Sequence, residues 1–455
     1  MSDTTEGGNR SSNPRSSSES MSGIEPGQGK PSPVARSAGL DLQTFRSSAA
    51  LKRTFSSLGA KSYRNLWIGF LLQMGGMQML MMAGSYYIYE LTDSASLLGV
   101  VTAASAVPAL ILALFGGVIA DRLDKKRIIQ AGQAVSLIVA LFIALSISTD
   151  TITWVHFLVV SFVQGSVMPL MMPARQAIIP QLVDNDRLMN AVALNAMGMS
   201  LTTMLAPAVA GGLIAVLGME SVFFIIAGMY AGSVLFTGLL PPIETPTRSP
   251  SSTVLGDIKD GLGYVFSNRA IFLLIILSFA TMVFAMPIRF ILPIFAKDVF
   301  LAGPEGLGYM MSAMGVGSLV GALVIASLGN VKHRGFVLVS SGILSGSILL
   351  GFSAMSYWAP VYLVAVGFMV LIGLLQAGRM TLNSSLMMEY ADQQYRGRVM
   401  SILTLSMALM PAGVIPVTLM ADHFGAPLSL GTMATLLIIV ACTVLLASPR
   451  LRHLD

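Results

Sequence analysis

Apolar stretches of about 20 residues follow one another along most of this chain, from about Leu66 to about Ala447. The hydrocarbon core of a bilayer is about 30 Å thick, and a helix needs roughly 20 apolar residues to cross it. Backbone polar groups cannot stay unpaired in lipid, which favours helices for stretches of this length. Only 11% of the 455 residues are charged, which excludes an ordinary soluble protein. The chain is therefore predicted to be an all-α integral membrane protein.

Twelve transmembrane helices are predicted from these stretches. Prolines and glycines inside them are acceptable because neighbouring helices and water can pair the freed backbone groups. The predicted spans are Leu66–Tyr87, Leu97–Ala120, Ile128–Ile147, Trp154–Met172, Ala191–Leu217, Ser221–Leu240, Ile271–Phe295, Leu307–Leu328, Gly335–Ala354, Pro360–Gly378, Val399–Met420 and Leu428–Leu446.

The first 60 residues differ in composition from the rest of the chain. They are rich in Ser, Gly and Pro and contain few large apolar residues. Such a segment cannot bury enough apolar surface to order itself, and it lacks the apolar core of a signal peptide. Residues 1–60 are therefore predicted to form a disordered cytoplasmic tail.

The positions of the basic residues predict the orientation in the membrane, because cytoplasmic connections retain Lys and Arg. If the tail is cytoplasmic, all but two of the 27 basic residues fall on the inner side, and only Arg289 and Lys297 remain. The outer connections carry acids such as Glu90, Asp150 and Asp422. Both termini are predicted to be cytoplasmic, and the protein is predicted to lie in the plasma (cell inner) membrane.

The predicted spans fall into two sets of six on either side of a central cytoplasmic loop, residues 241–270. The second and third spans of each set are joined by a short basic turn. Two pseudo-symmetric six-helix bundles, residues 61–240 and 271–455, are the architecture of transporters that rock around a site at mid-membrane. The second bundle is predicted to end in a short cytoplasmic tail.

Three segments carry a resemblance to a known family. The sequence GGVIADRLDKKR at 116–127 resembles the loop 2-3 signature of the major facilitator superfamily, with Asp124 where the usual pattern has Gly. The segments PARQAIIPQLV at 173–183 and YRGRVMS at 395–401 are similar to a branch that contains enterobactin-type siderophore exporters and macrolide and multidrug efflux proteins. The resemblance implies the twelve-helix fold of this superfamily and transport by alternating access.

The same resemblance implies a conformational gate at the inner side. A carboxylate at Asp121 can meet the backbone N–H groups around Gly397 and Arg398 and hold the inner side shut. The alternative is interfacial solvation and control of topology, which is preferred for Lys125, Lys126 and Arg127. The predicted gate residues are Asp121, Arg122, Lys125, Arg175, Arg396 and Arg398.

The fifth span contains APAVAGG at 206–212, which is similar to an element that marks antiporters of the superfamily. Its key positions are Pro207, Gly211 and Gly212, and Ala replaces Gly at two places. Small residues let helices approach closely and proline bends a helix axis. The element favours export, although such packing is common in membrane helices. The glycines of the eighth span, such as Gly308 and Gly315, are interpreted as packing residues.

Ionisable and polar groups at membrane depth are costly and point to function. Arg289 could attract an anionic substrate or extend to the outer headgroups. The polar residues could bind a ligand or bond to one another across helices. Glu90 is a candidate proton site, with an ordinary interfacial acid as the alternative, and no carboxylate lies deep in the first six spans. The candidate cavity residues are Gln73, Gln78, Gln164, Asn195, Arg289, Gln376 and Asn383.

Together these features predict a secondary active transporter that exports a small amphipathic molecule, siderophore-like or drug-like, in exchange for protons. The alternatives are a nutrient uptake transporter and a transporter-like sensor. Catalytic, metal and nucleotide motifs are missing, so neither an enzyme nor a cofactor is predicted. The single Cys442 excludes internal disulfides. The expected partners are the lipid bilayer, the substrate and protons, with no nucleic acid, and the protein is expected to be a monomer.

Overall fold

A computed structural model describes residues 55–112, 123–242, 263–328, 333–393, 395–396, 399, 402–403 and 410–447. Within these ranges the chain is helical and has no strand. Ten helices there are long and apolar enough to cross a membrane. The fold is the predicted one, an all-α membrane protein of twelve helices in two six-helix bundles. The end of the bundle that carries Glu90 and Asp422 is called the outer end, following the predicted orientation.

The helices are numbered in chain order. The first bundle contains α1 (Lys61–Thr92), α2 (Ala95–Ala104), α3 (Lys125–Ser148), α4 (Trp154–Leu182) and α5 (Asn185–Gly238). The second contains α6 (Arg269–Phe284), α7 (Ile288–Ile294, with a wide turn over Phe295–Val299), α8 (Gly303–Leu328), α9 (Arg334–Trp358), α10 (Tyr362–Tyr390), α11 (Pro411–Phe424) and α12 (Ala426–Ala447). Together α6 and α7 form one span.

Helix α5 supplies two spans. Its 54 residues would extend about 80 Å as one straight helix, more than twice the bilayer core. The chain breaks at Gly218, whose φ of 80° and ψ of 167° are not helical. Glycine adopts a positive φ without steric cost, so this residue separates the two arms of α5. The break lies between the fifth and sixth predicted spans.

Side-chain caps explain where several helices begin. Asp124 starts α3 by accepting hydrogen bonds from the backbone N–H groups of Lys126 and Arg127, at 2.9 and 3.3 Å. A cap of this kind satisfies helix donors that otherwise lack a partner. Lys126 in turn donates to the carbonyls of Gly238 and Leu240 at the end of α5. The departure from Gly at position 124 therefore gives α3 a defined start.

Helices α4 and α10 extend further inward than predicted. The spans predicted to end at Met172 and Gly378 continue as helix to Leu182 and Tyr390. Pro173 and Pro180 do not end α4, because each proline removes a single backbone donor and packed neighbours support the helix. Arg175 and Arg379, assigned to inner connections from the sequence, are instead buried within these helices, with 3% and 4% of their surfaces exposed.

The apolar core is shared at the outer end and separate at the inner end. One cluster contains Met82 and Leu98 of the first bundle together with Ile291 and Met310 of the second. A second cluster, around Leu66 and Ile178, belongs to the first bundle alone. A third, around Leu338 and Leu386, belongs to the second bundle alone. The described packing therefore joins the two bundles more extensively towards the outer end.

Several predictions fall outside the described residues. They are most of the tail, most of the central loop, the inner part of the second span and much of the eleventh span before Pro411. The gate residues Asp121, Arg122 and Arg398 also lie there. The conformational gate predicted at Asp121 therefore remains a prediction.

Candidate functional site

A small cavity lies between the two bundles. Helices α1 and α5 of the first bundle and α7 and α8 of the second supply its walls. Its volume is about 10 Å³, room for roughly one water molecule, and far below the 300–1,000 Å³ of usual small-molecule sites. Its lining residues are Gln78, Met81, Thr203, Pro207, Arg289, Met311 and Met314. Flexible methionines beside a few polar groups suit ligands with an apolar body.

Arg289 is the charged residue among these lining residues. Its Nη2 lies 3.5 Å from Oε1 of Gln376 on α10, a long hydrogen bond. Its Nε is buried and has no hydrogen-bond partner. Gln376 is also held by a contact from its Nε2 to the sulfur of Met286. The guanidinium thus lies at the cavity rather than at the outer headgroups.

Helices α5 and α8 pack closely beside the cavity and form the central seam between the bundles. A Cβ atom added to Gly211 would lie 2.5 Å from the carbonyl oxygen of Pro304, and one added to Gly308 would lie 2.5 Å from that of Pro207. Ser312 Oγ accepts a hydrogen bond of 3.0 Å from the backbone N–H of Ala208 across the seam. No side chain fits between the backbones at these two glycines, so the seam depends on them.

A polar cluster, called the outer clamp, joins the bundles at the outer end. Tyr89 of α1 donates a hydrogen bond to Asp298 next to α7. Asp93, just after α1, pairs with Lys297, whose Nζ also lies 5.2 Å from the ring centre of Tyr89. Asp422 of α11 makes the third contact, with the start of α2. Every one of these contacts crosses between the two bundles.

Asp422 caps the start of α2 from the opposite bundle. Its carboxylate accepts hydrogen bonds from the backbone N–H groups of Ala95 (2.6 Å) and Ser96 (2.9 Å) and from the hydroxyls of Ser94 (3.3 Å) and Ser96. The residue lies beyond the apolar part of α11, at the exposed outer end. Burial opposes ionisation, but the bonds from Ser96, Ala95 and Ser94 outweigh it and hold the pKa of Asp422 below its ordinary value.

We expect the hydrogen bonds to Asp422 to persist at mildly acidic pH. They should weaken when Asp422 is replaced by a neutral residue. Since the pKa is lower in the clamped state, the stabilisation is complete above the ordinary carboxyl pKa of 3.8 and is lost as the pH falls through the lowered value. Asp422→Asn should raise the outer-open population about fivefold, because exposed charge-assisted bonds contribute modestly. Spin labels at the exposed residues Leu91 and Leu301 measure this as a longer distance.

The same label pair in the unsubstituted background supplies the control. Its distance distribution should not change between pH 7 and pH 5, because the Asp422 carboxylate stays ionised there. Opening on acidification over this range, or an unchanged distribution in Asp422→Asn, contradicts the role assigned to this contact.

The helical region matches a known protein family over its full length. The family described as transmembrane secretion effector, a branch of the major facilitator superfamily, matches residues 52–455. The chain belongs to this family. It is therefore a membrane transporter of the efflux and secretion branch and not an enzyme.

Two relatives agree with this membership, and a solved structure shares the fold. The transporter is 24% identical to macrolide efflux protein A of Streptococcus pyogenes, over 83% of this chain and 94% of that protein. It is 26% identical to the staphyloferrin A transporter of Staphylococcus aureus, over 75% and 85%. Its fold superposes on a D-xylose-proton symporter with a TM-score of 0.68 at 15% identity, over 87% of this chain and 99% of that one.

Four of the seven candidate cavity residues lie elsewhere in the transporter. Gln73 and Gln164 join a network through Ser136, and Gln73 also accepts a bond from Ser233. Asn195 accepts a hydrogen bond from Arg175, and Asn383 donates to Ser278. Each of these bonds stays within one bundle, as expected for polar residues that pair across membrane helices. Gln78 and Arg289 line the cavity, and Gln376 accepts the hydrogen bond from Arg289 beside it.

The three described gate residues of the transporter occupy different environments. Lys125 is buried at the start of α3. Arg175 bonds Asn195 at 3.0 Å and lies 3.4 Å above the ring centre of Phe70. Arg396 is exposed and donates from Nε to the carbonyl of Ala391. Arg175 therefore has a clear packing role inside its own bundle, and the role of the three in gating stays a prediction.

The remaining predicted positions differ in their surroundings. Pro207 lines the cavity and Gly211 lies in the central seam of the transporter, whereas Gly212 has no heavy atom within 4 Å of an added Cβ. Glu90 is exposed at the outer end of α1. Its role as a proton site stays a prediction.

Sequence reasoning missed the outer clamp. Nothing in a single sequence pairs Asp422 with Ser94 or Asp93 with Lys297. One signal was present, since Lys297 is one of two basic residues outside the inner set. Within the described ranges of the transporter, acidic side chains lie at helix ends or in connections: Glu90, Asp93, Asp124, Asp150, Asp184, Asp186, Glu220, Asp298, Glu305, Glu389, Asp392 and Asp422.

Proposed function

We propose that this transporter exports a small amphipathic molecule from the cytoplasm by alternating access, in exchange for protons. The observation that carries the proposal is the cavity between the bundles beneath a closed outer end. The clamp and the seam join the bundles above it, and both bundles contribute to its walls. A cavity of about 10 Å³ is too small for a molecule of this class, so the bundles must separate to admit one.

The relatives support export and the class of substrate. They carry the names macrolide efflux protein and staphyloferrin A transporter. Both names describe molecules larger than the closed cavity. We infer a siderophore-like or drug-like substrate, for which the methionines Met81, Met311 and Met314 provide an adaptable apolar surface.

Proton exchange is assigned to an acidic residue at the outer end. Glu90 is the proposed site, where an exposed carboxylate at the outer end of α1 can exchange protons with the exterior. Asp422 is unsuited to this role, because its carboxylate is occupied by the hydrogen bonds at the start of α2. We further propose that the protein works as a monomer in the plasma membrane with both termini in the cytoplasm, as the distribution of basic residues favours.

Transport into everted membrane vesicles tests direction and coupling together. Vesicles that contain the protein should accumulate labelled erythromycin or staphyloferrin A several-fold above vesicles without it, and nigericin should abolish the difference by removing the pH gradient. Accumulation only in right-side-out vesicles would instead establish uptake. Binding without accumulation in either type would establish a sensor. Glu90→Gln should reduce coupled transport and leave ligand binding intact.

A further inference from the structure

Two buried arginines of the second bundle have donor groups without partners. Nη1 and Nη2 of Arg379 are buried and have no hydrogen-bond partner. The same is true of Nε of Arg289. Arg175, at the inner part of α4, differs. Although its Nε is also unpartnered, its charge is held by Asn195 and by the face of Phe70. The uncompensated positive charge of the interior is therefore concentrated on α7 and α10.

No described carboxylate offsets these charges. The acidic residues of the described ranges lie at helix ends or in connections, and Glu389, on the same helix as Arg379, is paired with Arg334. A buried charge without a partner costs several kcal/mol in a protein interior and more in a membrane. Residues kept at this cost mark the path of a ligand or an ion.

Gln376 connects the two arginines. It accepts the hydrogen bond from Arg289 and lies three residues before Arg379 on α10. Residues three apart in a helix lie on the same face, with Cβ atoms about 5–6 Å apart. Arg379 follows Gln376 towards the predicted inner end, and Arg289 faces the cavity. Arg379 therefore lies about one turn inward of Gln376 on α10, and Arg289 lies between Gln376 and the cavity.

We infer that the exported molecule is an organic anion, which Arg379 attracts on the inner side and Arg289 binds in the cavity. This inference rests on the proposed function for its direction, although the site itself does not depend on it. A carboxylate, catecholate or sulfonate head group accepts hydrogen bonds from the Nε and Nη groups of a guanidinium. The methionines and Pro207 contact the apolar body of the ligand, and Gln78 and Thr203 offer neutral hydrogen bonds.

Binding to the purified protein tests the anion inference separately from transport. The probes are benzoate, 2,3-dihydroxybenzoate and decanoate, each compared with its neutral amide of nearly the same shape. At least one anion should bind about tenfold more tightly than its amide, as expected for one charge-assisted hydrogen bond. Equal affinity within all three pairs overturns the inference, whatever the outcome of the vesicle assay.

Substitutions separate attraction of the anion by Arg379 from its binding by Arg289. Arg289→Gln should reduce the preference for the anion about tenfold and raise its dissociation rate, while Arg289→Lys keeps part of it. Arg379→Gln should lower association and dissociation rates together, because a residue on the path changes the barrier and not the bound state. Arg187→Gln, at an exposed arginine away from the cavity, is the matched control. An anion preference unchanged in both Gln variants, with monodisperse protein, refutes the roles of these arginines.

Discussion

Gly211→Ala is expected to reduce export at least tenfold, whereas Gly212→Ala should transport at nearly the normal rate. The added methyl at Gly211 would lie 2.5 Å from the carbonyl oxygen of Pro304 and 3.2 Å from Cα of Glu305, both backbone atoms. Overpacking of this kind costs about 1–3 kcal/mol and here acts on the closed outer end alone. Gly212 has free space at the same depth, which makes it a closely matched control.

Two measurements check this result. Export is measured in everted vesicles, and the distance between labels at Leu91 and Leu301 reports the outer end. Gly211→Ala should shift the distances towards the open form, and Gly212→Ala should not. If both variants transport normally, the α5–α8 seam is not required for the cycle. If both fail with unchanged distances, the defect lies in folding or insertion.

Asn195→Leu is expected to destabilise the protein by about 2 kcal/mol, because it removes the hydrogen-bond partner of the buried Arg175. The double variant Arg175→Met with Asn195→Leu should recover much of this loss. Replacing both members of a buried polar pair is often neutral, while removing one leaves an unsatisfied charge. Thermal unfolding in detergent of the two single variants and the double variant measures the coupling.

Transport by the double variant separates packing from gating. If Arg175 only holds α4 against α1 and α5, the stable double variant exports normally. Loss of export with restored stability would instead support the predicted gate. Additive destabilisation of the two single changes would show that the contact between Arg175 and Asn195 carries no coupling energy.

The sequence predicts the membrane architecture well because its signal is local. Each span is a continuous apolar stretch, and the break at Gly218 falls between two predicted stretches. Proline misleads at the inner end of α4, since Pro173 suggests an end that packed neighbours override. Arg175 is therefore predicted in a connection although it is buried in α4. Arg379 is predicted in one as well, because the tenth span is predicted to end at Gly378 whereas α10 continues to Tyr390.

The candidate site is harder to predict because it depends on contacts between distant residues. Composition marks Gln73, Gln78 and Gln164 equally, yet only Gln78 faces the cavity. The others are turned towards Ser136 by the rotation of their helices. Likewise, no pattern in one sequence relates Asp422 to a helix start more than 300 positions earlier. These facts follow from how helices pack, which hydropathy alone does not determine.

The buried guanidiniums of Arg289 and Arg379 have a consequence for the energetics of transport. A singly charged anion that leaves a cell with a negative interior moves down the voltage, a gain of about 2.3 kcal/mol for every 100 mV. That alone sustains roughly a fiftyfold concentration ratio across the membrane. Exchange for one proton doubles the charge moved in each turnover. The membrane potential would then act on the charge of the substrate and set the direction of transport. No described acid buried in the bilayer is needed for this.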